Sequence, residues 1–140
     1  MLEQRTLTDK GIFYTPGGLP RAERELAATV ASKVNGCIYC ASVHARKAAQ
    51  LAKDESAIET LLAVTPGETL SDGQSPRWRA EIDFAAALSV TPPALTTAHL
   101  HGLEQQGLDT LAQLDLLQSA AFFAWANRLM LTLGEPWETD

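Results

Sequence analysis

The run Val34-Asn35-Gly36-Cys37-Ile38-Tyr39-Cys40-Ala41-Ser42-Val43-His44 concentrates the reactive side chains of this chain. On a helix advancing about 100° per residue, Cys37 to Cys40 is an i,i+3 step and Cys40 to His44 an i,i+4 step. All three then project from one face and can exchange protons. Asn35-Gly36 breaks the preceding helix, which puts the cysteines at a helix start, where unpaired backbone N–H groups and a partial positive charge favour a thiolate. A thiolate that attacks a peroxide is left as sulfenic acid, and a second cysteine three residues away condenses with it to a disulfide before further oxidation. His44 can serve one thiol as a base, and a carboxylate can orient its ring. Glu25, on the preceding helix and twelve residues before Cys37, is the candidate if the two helices form an antiparallel hairpin, with Glu23 as the fallback.

Two other readings compete. Free cysteine is often only a small core residue. A closed structural zinc site needs four ligands, so Cys37, Cys40 and His44 would require His99 or His101 to complete it. The spacing after Cys40 is short for a zinc module, and His99 and His101, two apart, fall on different helix faces and read as surface residues. No metal or cofactor is expected.

The 140 residues are 46% hydrophobic and 20% charged, as in a globular protein with one core, and the whole chain, 1–140, reads as a single domain. A net charge of -6 argues against nucleic-acid binding, which rests on clustered Lys and Arg. The charge is uneven: Arg21, Arg24, Lys33, Arg46, Lys47 and Lys53 surround the cysteine segment against only Glu23 and Glu25, a field that favours a thiolate. Residues 1–10 lack the apolar run of a signal peptide, and the longest apolar stretch, 116–127, is too short to span a bilayer. A cytoplasmic location without a membrane anchor is the expectation.

The positioning elements read as an all-α bundle of about six helices, with no sustained strand alternation. Residues 1–19, ending in Tyr14-Thr15-Pro16-Gly17-Gly18, read as an irregular arm. Helices are expected from Pro20 to Asn35-Gly36, from Cys37 to about Lys53, from the cap Asp54 to about Val64, from Ser75-Pro76 to Thr91-Pro92-Pro93, and over 95–106. A last helix runs from the cap Asp109 to about Leu133, with Gly134 and Pro136 as stop signals. It is apolar on nearly all sides, which predicts an oligomer, and Arg128 within it predicts an ion pair or a subunit contact. The aromatics Trp78, Phe84, Phe122, Phe123 and Trp125 read as core or interface packing.

Glu25, Cys37, Cys40 and His44, spaced E-x11-C-x2-C-x3-H, resemble the active-site signature of the alkylhydroperoxidase D-like branch of the carboxymuconolactone decarboxylase family. The resemblance is strong over residues 20–64, and the run from Ala124 to Gly134 is similar to the last helix of peroxidase-related members. It implies an all-helical fold, trimers or hexamers, and reduction of organic hydroperoxides or hydrogen peroxide, with a dithiol reductant such as a lipoyl or thioredoxin-like protein. By the same resemblance Cys40 is the peroxidatic cysteine and Cys37 the resolving one, with His44 and Glu25 as a proton relay. The chain departs from the best-known members at Tyr39, where they carry a histidine, and it is shorter than full-length relatives. A decarboxylase of the wider family and a non-enzymatic thiol sensor or disulfide-exchange protein are the alternatives.

Overall fold

The computed structural model describes residues 2–15, 17–65 and 68–134, so the expected turn residue Pro16 and stop residue Pro136 lie outside the described residues. Among them are seven α-helices and no strand: α1 Leu2–Tyr14, α2 Arg21–Asn35, α3 Ile38–Ala52, α4 Glu55–Ala63, α5 Pro76–Ser89, α6 Thr97–Gln105 and α7 Thr110–Leu133. Most boundaries have a local cause. Asp54, Ser75 and Asp109 each accept a backbone N–H from three residues on, which satisfies one orphan donor of α4, α5 and α7. Thr96 N donates to His99 Nδ1 at 3.0 Å, closing a reciprocal capping box on α6. His99 is therefore a partly exposed residue that caps α6. His101 is exposed, and among the described residues no group of three or more His, Cys, Asp or Glu is placed to hold a metal ion.

The seventh helix is a correction to the irregular arm expected over residues 1–19. Residues Leu2–Tyr14 are helical, and the turn residues Thr15, Gly17 and Gly18 lie beyond its end. The periodicity was illegible because, among the described side chains of α1, Gln4, Thr6, Leu7, Thr8, Lys10 and Gly11 are exposed and only Ile12 and Phe13 turn inward. Its C-terminal end is clamped by Arg24, itself buried, whose guanidinium donates to the carbonyls of Ile12 and Thr15 at 2.9 Å, of Leu19 at 2.7 Å and of Gly17. Asp115 of α7 completes the clamp, 3.3 Å from Arg24 and accepting the Leu19 N–H at 2.9 Å. Gly18 is required there: its φ is +67°, and a Cβ would meet the Asp115 carboxylate at 2.0 Å.

Helix α2 is the centre of the fold, packing most extensively on α3, then on α7 and α5. Its core side, Leu26, Ala27 and Val30, meets Ala45 and Ala48 of α3, Ile82 and Ala85 of α5, and Leu116 and Ala120 of α7. The alanines let α2 and α3 approach closely as an antiparallel hairpin. Leu111, Leu114 and Trp125 leave apolar surface on α7 open. Arg128, expected in an ion pair or subunit contact, is exposed and donates to Thr91 Oγ1 at 2.8 Å. No helix among the described residues is long and apolar enough to cross a membrane.

A polar tie holds the end of α2 to α7. Asn127, fully buried, donates to Ser32 Oγ at 3.0 Å and accepts from Asn35 Nδ2 at 3.3 Å. Asn127→Ala removes both partners' bonds and leaves the buried Ser32 hydroxyl unsatisfied. The expected cost is about 2 kcal/mol, a fall in Tm of roughly 5–10 °C by calorimetry; an unchanged Tm would show that the tie does not hold the helices together.

Candidate active site

The turn between α2 and α3 sets the cysteines. Gly36 takes the left-handed conformation, φ 76°, its N–H bonding to Lys33 O at 3.2 Å while Cys37 N–H reaches Ser32 O at 2.9 Å. This paired 5→2 and 6→1 closure is the Schellman motif that glycine permits at the end of a helix. Cys37 thereby becomes the residue that caps α3, with its carbonyl accepting the first bond of that helix from Ala41 N at 3.0 Å. Cys40 lies in the first turn, whose N–H groups have no carbonyl four residues back within the helix. Both cysteines are buried, at 0% and 2% exposure.

The hairpin then brings Glu25 and His44 together. Glu25 Oε2 lies 2.5 Å from His44 Nδ1, with both side chains largely buried. An ionised carboxylate only accepts hydrogen bonds, so a neutral His44 ring in this orientation carries its proton on Nδ1 and keeps the lone pair on Nε2. The other carboxylate oxygen, Oε1, faces Arg21 at 3.8 Å, one turn earlier on α2. Arg21 in turn donates to the Tyr14 hydroxyl at 2.8 Å and lies 4.0 Å over the Tyr14 ring. Glu23, the fallback carboxylate, is not at this site. It faces α5 and grips Arg77 through contacts of 2.8–3.0 Å, because two residues along a helix are some 200° apart.

The surroundings are apolar. Cys37 and Cys40 sit in one buried cluster with Phe13, Ala28, Ala31, Phe123 and Ala126, against which Tyr39, Phe122 and Met130 pack. His44 joins the same walls: its ring is 4.0 Å from Phe123, edge-on, and 5.7 Å from Phe13, stacked. Met130 Sδ is 3.1 Å from Cys40 Sγ. Thus the four residues expected from the sequence fall into one neighbourhood, with Glu25 and His44 in direct contact. Arg21 was expected only as one of the positive charges around the cysteine segment, not as the partner of Glu25, and Phe13, Phe123 and Met130 were not expected as neighbours of the site. The Arg21–Glu25 i,i+4 spacing was a signal for the first, whereas nothing in the sequence marks Phe13 or Met130 as part of a site.

The model of the carboxymuconolactone decarboxylase family matches residues 1–87. A search of curated proteins found no match. Among solved structures, an uncharacterized peroxidase-related protein from Silicibacter sp. TM1040 is similar at 27% identity and a TM-score of 0.76, over 94% of this chain and 66% of that one. An alkylhydroperoxidase AhpD core, an uncharacterized peroxidase-related protein from Ralstonia eutropha JMP134, superposes with a TM-score of 0.82 at 23% identity, over 97% of this chain and 70% of that one. The debrominase Bmp8 has a TM-score of 0.77 at 20% identity, over 98% and 70%. At these two lower identities the likeness concerns the fold. The chain spans about two thirds of the length of these solved relatives.

Proposed function

We propose that this chain, which belongs to the carboxymuconolactone decarboxylase family, is a thiol-dependent peroxidase acting on organic hydroperoxides or hydrogen peroxide. The observation that carries the reading is the 2.5 Å Glu25–His44 contact, whose imidazole shares its Phe13 and Phe123 walls with both cysteines. The Cys40 thiolate attacks the outer peroxide oxygen, the O–O bond breaks, and the alkoxide leaving group takes a proton to depart as alcohol. Cys40 becomes sulfenic acid. The Cys37 sulfur then displaces its hydroxyl as water, forming the disulfide, and a dithiol such as a lipoyl or thioredoxin-like protein restores both thiols by exchange. Each cycle consumes one hydroperoxide and two reducing equivalents.

His44 is the base for the Cys37 proton, with Glu25 holding its ring and stabilising the imidazolium. Arg21 faces the second carboxylate oxygen of Glu25 at 3.8 Å, which helps hold the carboxylate in place against His44. The apolar walls keep bulk water from the sulfur, which prolongs the sulfenic acid until Cys37 reaches it. The apolar side chains left open on α7 fit a homo-oligomer, as trimer or hexamer, and the working location proposed is the cytoplasm.

Thiol titration tests the reading directly. One equivalent of cumene hydroperoxide added to reduced protein should remove two thiols per chain and release one equivalent of alcohol. A chain that keeps both thiols under these conditions is not a thiol peroxidase. Turnover of a lactone acid surviving loss of both cysteines would instead identify a decarboxylase, and a slow single reaction with a partner protein trapped on Cys37→Ser would identify a sensor.

A further inference from the structure

Cys37, Cys40 and Glu25 are all less than 5% exposed, so a reactant reaches the sulfur only if something covering it moves. Two elements provide the cover. One is α7, through Phe123 and Met130, and it is built into the core along its length. The other is α1, which among its described side chains contributes one that is deeply buried, Phe13 at 2% exposure, while the described ones up to Gly11 are exposed. The Phe13 ring stacks on His44 at 5.7 Å with the planes 24° apart and meets Phe123 edge-on at 5.5 Å. The Arg24 guanidinium fixes the backbone on both sides of it, at Ile12 and Thr15.

We infer that Phe13 is the positioning residue of this site: it holds the His44 imidazole in register with Glu25 and is the plug that seals the thiols. The physical reason is that an imidazole bonded at one nitrogen can still swing about its ring torsion, which is broad and two-fold. Phe13 on one side and Phe123 on the other block that swing. Lifting the end of α1 costs the burial of Phe13 and the Arg24 bonds to Ile12 and Thr15, whereas lifting α7 would open the core. Access therefore runs along the α1 side, and the size of the Phe13 side chain sets what passes. The inference rests on the peroxidase reading only in taking His44 as the base, and its main test needs no peroxide.

The test is alkylation of the reduced full chain by iodoacetamide across pH, with the modified cysteine located by mass spectrometry. Phe13→Ala should accelerate alkylation at pH 7 by about tenfold and shift the pH profile, because both the seal and the imidazole's register are lost. Phe13→Leu keeps most of the volume without the stacking ring, and should fold as wild type with a rise of about threefold. Leu103→Ala, deep in α6 and remote from the thiols, controls for global opening. Wild-type rates in both Phe13 variants, or an equal acceleration in Leu103→Ala, would overturn the inference. Peroxide consumption by wild type is measured separately, so failure of the peroxidase reading leaves the alkylation result standing.

Discussion

Cys40→Ser is expected to abolish peroxide consumption, a loss of at least about 10³-fold, while Cys37→Ser consumes two peroxides per chain, one to the sulfenic and one to the sulfinic acid, and then stops. The asymmetry follows from what each sulfur does. A serine hydroxyl at position 40 has no accessible anion near neutral pH and cannot attack the O–O bond, so nothing downstream occurs. With Cys37 replaced, Cys40 still attacks and becomes sulfenic acid, but the intramolecular partner is gone. The apolar cluster around it, with Phe123 and Met130, then holds the sulfenic acid until a second peroxide carries it to sulfinic acid. Mass spectrometry should find two added oxygen atoms on Cys40 in Cys37→Ser, and a disulfide in peroxide-treated wild type. Single-turnover activity in Cys40→Ser would reverse the two roles. Undiminished steady turnover in Cys40→Ser would remove this thiol from the mechanism, and in Cys37→Ser it would remove the resolving step.

Much of this neighbourhood was legible because its determinants are local. Asn35-Gly36 states where α2 ends, and the Schellman closure at Gly36 then dictates where Cys37 starts α3. Glu25 was reachable by counting turns on both sides of that break, since a hairpin of two helices returns the chain to the same height. What stayed hidden is held by tertiary contacts without a sequence period. Helix α1 presents no apolar stripe, so its helicity and its one inward ring at Phe13 could not be read from spacing. Arg24 looked like one more positive charge near the cysteines, although it is a buried clamp on carbonyls of the α1–α2 loop. Glu25 was the candidate and Glu23 the fallback on spacing alone, and the tertiary partners separate them: α5 supplies Arg77 for Glu23 and α3 supplies His44 for Glu25. Glu81 gave no sign of being unusual, because an acidic residue on a helix normally faces solvent.

Glu81 leads to the second large expected effect, on stability rather than chemistry. Its carboxyl is 1% exposed on α5, neither oxygen has a hydrogen-bond donor among the described residues, and Arg77 Nε is 4.0 Å away, already bidentate on Glu23. Burial first, then the neighbouring Glu23 carboxylate, push its pKa from 4.5 up to about 10, against the smaller opposing pull of Arg77. Glu81 is thus a neutral acid at pH 7, its O–H free to donate toward Glu23. The folded chain keeps this proton while the unfolded chain releases it above about pH 4.5. Stability from Glu81 is therefore fully present below pH 4.5 and is lost as pH rises toward about 10, where the folded group also ionises. The limiting slope is about 1.4 kcal/mol per pH unit, hence at most about 4 kcal/mol from pH 5 to pH 8, on the order of a 10 °C fall in Tm. Glu81→Gln copies the shape of the neutral acid and has no proton to lose. Its Tm should decline less than that of wild type between pH 5 and pH 8, so that the variant is the more stable protein at pH 8. Parallel Tm profiles for the two proteins would mean that Glu81 is ionised in the fold and that Arg77 serves both carboxylates.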